Sequence, residues 1–143
     1  VNFSRADNEL TEQANQVYEA LKEKDIESIK KVFAPCIAEK YDLDKEIKKL
    51  FKKIEGNVIS IGEARGWTTG YAHDAEKGYL YVDSEEKLKN ITTDEGKSYC
   101  MTLFGYYSNS QSKDKVGISF LYVSEGKTEN VNHEVYEIGG SEQ

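Results

Sequence analysis

Histidine is the side chain suited to proton transfer near neutrality, and the chain has two, His73 and His133, both in polar stretches. His73 precedes Asp74, a base beside the kind of carboxylate that general acid–base catalysis uses to orient it. Neighbours on an extended segment point in opposite directions, so a loop is the expected setting and no catalytic residue is assigned. Glycine loops for phosphate, nucleophile elbows and metal-ligand spacings such as His-Glu-x-x-His are absent from the sequence. No cofactor and no metal is expected. Cys36 and Cys100 are the only cysteines, too few for a disulfide framework or a zinc site. They either pair, closing a loop worth about 4 kcal/mol of chain entropy, or stay apart as two buried thiols.

Binding chemistry is better supplied. Ile59, Ile61, Glu63, Arg65 and Trp67 share one parity of a strand pattern. If the two isoleucines face the core, so does Arg65, and an inward guanidinium needs a carboxylate or an anionic ligand. A bulge at Gly62 or Gly66 would slip the register and return Arg65 to water. Trp67 and the ten tyrosines combine apolar bodies with polar tips, which suits a pocket that orients a mostly apolar ligand. Tyr99 shares a strand face with Met101 and Leu103, and Tyr18 lies on a helix stripe that should cover the sheet. Arg65, Trp67, Tyr18 and Tyr99 are the expected ligand-binding residues, against the plainer reading of ordinary core.

The elements that hold these residues change period at Gly56. Leu10, Ala14, Val17, Tyr18 and Leu21 recur every three or four residues, which predicts a helix from about Asp7 to Lys24. Ile26, Ile29, Val32 and Phe33 make a shorter stripe that Pro35 should end. A third helix is capped by Asp42, carries Leu43, Ile47, Leu50, Phe51 and Ile54 on one face, and has Gly56 beyond its end. Its other face bears Lys45, Lys48, Lys49, Lys52 and Lys53. That face could attract an anionic surface such as a wall polymer or lipid headgroups; the plainer reading is a solvated face whose charges favour the helix C-terminus.

From Val58 onward period two takes over, predicting strands at about 57–67, 79–92, 98–108 and 116–124, joined by hairpins at 94–97 and 109–115. Val131, His133 and Val135 could add an edge strand, and residues 139–143 should fray. Helices followed by strands give an α+β class, with the N-terminal helices packed on one face of a curved antiparallel sheet. A single domain over 1–143 is expected, with its core at about 7–124 and a polar tail at 125–143. The opposite sheet face carries Cys100, Thr102, Phe104, Tyr106, Leu121 and Val123. So apolar a surface suggests a homodimer through the sheet.

The net charge is −7, and Arg5 and Arg65 are the only arginines, which argues against nucleic acid as a partner. The excess acid lies almost wholly beyond Gly56. No apolar run is long enough for a membrane helix. The chain begins at Val1 and its only methionine is Met101, as expected either of a mature secreted protein whose signal segment has been removed or of a trimmed piece of a longer chain.

The run Ala20-Leu21-Lys22-Glu23-Lys24-Asp25-Ile26-Glu27-Ser28-Ile29-Lys30-Lys31-Val32-Phe33-Ala34 resembles the opening of the nuclear transport factor 2-like (cystatin-like fold) superfamily. The third helix running into Gly56, Asn90-Ile91-Thr92-Thr93 before a glycine hairpin, and Val116-Gly117-Ile118 resemble an uncharacterised family of small secreted lipoproteins from Gram-positive bacteria. The resemblance implies a cone, a curved sheet wrapped around helices with a pocket at the wide end. It also implies a secreted or lipid-anchored cell-surface setting, with membrane attachment only through an anchor outside this sequence. Members include isomerases and dehydratases as well as binding modules, so fold does not choose the function. The expected function is a non-catalytic binding or interaction module with a small-molecule ligand. The alternative is an isomerase- or dehydratase-like enzyme using a pocket tyrosine and an acid. That enzyme needs an ionisable group at the pocket floor bonded to a second one, and its absence is expected.

Overall fold

The computed structural model describes residues 1–140. Four helices come first: α1 (Phe3–Glu23), α2 (Ile26–Lys30), α3 (Pro35–Lys40) and α4 (Leu43–Lys53). Six strands follow: β1 (Val58–Ser60), β2 (Glu63–Asp74), β3 (Gly78–Thr93), β4 (Ser98–Asn109), β5 (Gly117–Glu125) and β6 (Glu134–Gly139). The class is α+β, with the helices on one face of a curved antiparallel sheet. β1 and β2 both pair with β3, which pairs with β4, then β5, then β6.

Side-chain oxygens start the main helices. Asn2 accepts from the Arg5 amide, Asp25 from Ser28 and Asp42 from Lys45, each relieving one amide that has no partner inside its helix. α1 begins at Phe3, a turn before its apolar stripe predicts, because Asn2 provides the cap and Ala6 extends the buried face. Pro35 does not merely end the second helix. It opens α3 at the first helical position, where its fixed φ and missing N–H cost nothing.

The single strand expected at 57–67 is two strands separated by a bulge. The Gly62 N–H is shared between the carbonyls of Lys89 and Asn90, and Asn90 adopts φ 52°. β2 then runs on to Asp74, whose carboxylate accepts the Glu76 and Lys77 amides at 2.8 and 2.9 Å in the turn to β3. Further register shifts in β2·β3, β3·β4, β4·β5 and β5·β6 supply the bends that curve a sheet.

The core lies between the helices and the inner sheet face, centred on Ile29, Ile47, Leu50, Leu88, Met101 and Leu121. It reaches beyond 124. The edge strand falls at 134–139, not 131–135, because Val131–His133 forms a 3₁₀ turn. Ile138 then joins the core, and the Tyr136 hydroxyl donates to Glu46 of α4 at 2.6 Å. Gly139 pairs with Phe120 rather than fraying. Residues 141–143, also expected to fray, lie outside the described residues.

The outer sheet face is only partly open. Residues 126–133 fold across it: the Cys100 thiol lies 3.5 Å from the Gly126 carbonyl, the Asn130 amide donates to Ser124 at 3.3 Å, and Glu129 pairs with Lys87. Cys100, Thr102 and Ser124 are buried there. Leu121 and Val123, expected on this face, belong to the inner core instead. What remains part-open is Phe104 and Phe120, packed with the buried Tyr122 at ring-centroid distances of 5.7–6.3 Å. Both cysteines are free, Cys36 on α3 and Cys100 on the outer face of β4. The sheet separates them, so no disulfide forms.

Candidate functional site

Helix α1 crosses the sheet with three parallel rails, as its 3.6-residue period requires. The central rail is apolar: Ala6, Leu10 and Ala14, all buried. It presses against β2 at Gly66, where a methyl group would stand 2.6 Å from the carbonyl carbon, oxygen and Cβ of Leu10. One flanking rail is Asp7 and Thr11. Asp7 accepts from the Thr68 amide and hydroxyl at 2.7 and 3.0 Å, and the Thr11 hydroxyl both donates to and accepts from the Gly66 backbone at 3.1 Å. The other rail is Glu9 and Gln13, and it faces a cavity.

This cavity, of about 190 Å³, is lined by Leu10, Val116 and Ile118 on its apolar side and by Glu9, Gln13, Ser84 and Tyr107 on its polar side. At its back the Gln13 amide donates to Glu86 at 2.5 Å. Glu86 sits on the inner row of β3 with Val82, Ser84 and Leu88, and its side chain is sealed from solvent. Its second oxygen, Oε1, has no hydrogen-bond partner. Burial pushes its carboxyl up to about 8, against the smaller pull of Gln13, so Glu86 is largely protonated at neutral pH. A neutral acid is also the form such a buried, half-satisfied group can tolerate.

At the rim, the Tyr107 hydroxyl donates to Glu9 at 2.5 Å, and Arg5 pairs with Glu9 at 3.2 Å. The tyrosine bond is the larger reason Glu9 is held below its ordinary value, and the same bond raises Tyr107. At the back of the cavity Glu86 meets only the Gln13 amide, whereas at the rim Tyr107 and Glu9 form a bonded ionisable pair.

The four expected ligand residues do not come together. Arg65 is exposed on the outer face, as is Ile59, whose parity it shares; Val58, Ala64 and Gly66 turn inward instead. Its guanidinium lies 5.7 Å from the Trp67 ring centroid, so these two stack on each other. Tyr18 and Tyr99 are core residues, and the Tyr99 hydroxyl is occupied by the Glu55 amide at 3.0 Å. His73 lies in β2 with its ring against Tyr79, centroids 4.9 Å apart, while Asp74 serves the turn. No cluster of metal-ligating side chains occurs among the described residues.

Sequence reasoning missed Gln13, Glu86, Glu9 and Tyr107. For Glu86 the signal was present: it shares its parity with Val82 and Leu88. For Gln13 and Glu9, both off the apolar stripe, there was none.

The profile of a family described as "Domain of unknown function (DUF5104)" matches residues 16–131. No curated protein matches the chain.

Proposed function

Since the chain belongs to the DUF5104 family, whose description assigns no activity, we propose from its own residues that it is a non-catalytic module binding a small neutral ligand between α1 and the sheet. The observation that carries this reading is the buried Gln13–Glu86 pair behind the cavity. Gln13 of this pair lines the cavity and can hydrogen-bond a hydroxyl or carbonyl there, while Glu86 behind it holds the amide in place and has no second ionisable group with which to transfer a proton. A cavity of about 190 Å³ suits a molecule smaller than a drug-sized ligand. Phenol and cyclohexanone, titrated into isotope-labelled protein, are expected to shift the Gln13 side-chain amide and the Leu10 and Ile118 methyls. Replacing Gln13 by Ala should weaken binding about tenfold, the worth of one hydrogen bond. Shifts confined to other surfaces, or none, would sink the reading.

The nuclear transport factor 2-like cone and the bacterial cell-surface setting belong to the same proposal, supported by the sequence resemblance and by helices lying against a curved sheet. So does a homodimer through the half-exposed Phe104 and Phe120. Light scattering is expected to show a dimer that Phe120→Glu dissociates; a strict monomer at high concentration removes the dimer.

One observation favours the enzyme alternative. Tyr107 and Glu9 are a bonded ionisable pair on the cavity rim, the tyrosine and acid that an isomerase- or dehydratase-like reaction would use. Turnover of a carbonyl or hydroxy substrate that is lost in Tyr107→Phe would favour it over simple binding.

A further inference from the structure

Helix α4 carries an unusual concentration of uncompensated charge. Lys45, Lys48, Lys49, Lys52 and Lys53 are all exposed, on the side turned away from Leu43, Ile47 and Leu50. None of them, nor the exposed Lys24 nearby, enters an ion pair among the described residues. The two acids of the helix are already engaged. Asp44 pairs with Lys30 at 3.2 Å, and Glu46 accepts from Tyr136 at 2.6 Å. Beside this face opens a groove of about 750 Å³ with Phe51 and Ile54 on its apolar side and Lys24, Lys48 and Lys52 around it. Glu55 and Glu95 also line it, and Glu55 is paired with Lys97 at 3.5 Å.

We infer that the α4 face docks on an anionic lipid bilayer, its lysines over the headgroup phosphates and the half-buried Phe51 against the headgroup–acyl boundary. The lysines fall within the cluster size that reads as attraction to anionic headgroups, about four to eight. Lysine is a compact point charge suited to diffuse phosphate layers, whereas paired recognition of nucleic-acid phosphates and bases favours arginine, and the two arginines lie on α1 and β2. A planar surface also meets only one face of the molecule. The excess acid of this chain lies in its sheet-forming part, which a bilayer need not touch and a wrapping polyanion would.

Cosedimentation with phosphatidylcholine vesicles, with and without phosphatidylglycerol, tests the inference. At low ionic strength the protein should pellet with the mixed vesicles and not with the neutral ones. It should be released as salt shortens the screening length toward about 8 Å. The double variant Lys48→Gln/Lys52→Gln changes only exposed side chains and should lower partitioning roughly thirtyfold, at about five- to sixfold per lysine. Lys113→Gln/Lys115→Gln, in the β4–β5 connection, should leave it unchanged. Circular dichroism confirms that both variants fold. Absence of binding at low salt, equal binding to neutral vesicles, or insensitivity to the α4 changes overturns the inference. So does capture of inorganic polyphosphate or duplex DNA without vesicle binding.

Discussion

Replacing Glu86 by Gln should stabilise the protein, and by more as the pH rises. In the unfolded chain this carboxyl titrates near 4.5, and in the folded protein at about 8. Below about pH 4.5 it is protonated in both states and costs nothing. Between the two values the unfolded chain releases a proton that the folded protein keeps, so stability falls as pH rises. The fall is about 1.4 kcal/mol for each step of one in pH, and it levels off above about pH 8 at roughly 5 kcal/mol. Glutamine reproduces the shape and polarity of the neutral acid and cannot ionise. The variant is therefore expected to exceed the parent by about 3 kcal/mol at neutral pH, with the gap widening toward pH 9 and closing near pH 4.5. Carboxylates held low elsewhere, such as Asp25 and Asp94, act alike in both proteins and cancel from the difference. Urea titrations across this range measure it. A variant less stable than the parent at every pH would mean that the charged carboxylate is the form the fold requires.

The second large effect is expected at Gly66. Its α-carbon faces the backbone of Leu10, and an added methyl would lie 2.6 Å from three atoms of that residue, two of them main-chain. Neither partner can rotate aside as a flexible side chain would. Gly66→Ala should therefore cost about 3 kcal/mol, the upper end of the usual penalty for overpacking. It should also move α1 off the sheet and disturb the Gln13–Glu86 contact. Chemical denaturation reads the first effect, and the side-chain amide signal of Gln13 reads the second. A neutral substitution would show that α1 is not seated on β2 at this point.

Much of the scaffold was legible because it is written in periodicity. The stripes of α1 and α4, the Asp42 cap and the change to period two after Gly56 are local patterns that tertiary packing did not override. The errors fall where one residue reports two things. Pro35 marks an end and a beginning with equal force. The stretch from Thr68 to Gly78 hides a strand and a turn because Asp74 resembles a catalytic partner, yet its carboxylate is spent on backbone amides. Arg65 follows Ile59, whose parity it shares: Ile59 is exposed and its neighbour Val58 faces the core, so the inward reading of Arg65 rested on the wrong isoleucine.

The site was less legible than the fold. Tyr18 and Tyr99 look like pocket residues from their faces, but a face does not say whether packing leaves any space. Glu86 breaks an apolar row of β3, and the parity reasoning applied to Arg65 would have found it. Gln13 becomes meaningful only when α1 is laid over that row, a contact between residues 73 positions apart.

The ligand cavity depends on Glu86 being a buried neutral acid that holds Gln13 at its back. Carbon-13 NMR of the glutamate carboxyls across a pH titration decides whether it is. One carboxyl, assigned by its loss in Glu86→Gln, should titrate with a midpoint near 8. A midpoint near 4.5 would mean that Glu86 is charged and solvated at neutral pH, contradicting the buried floor on which the proposed function rests.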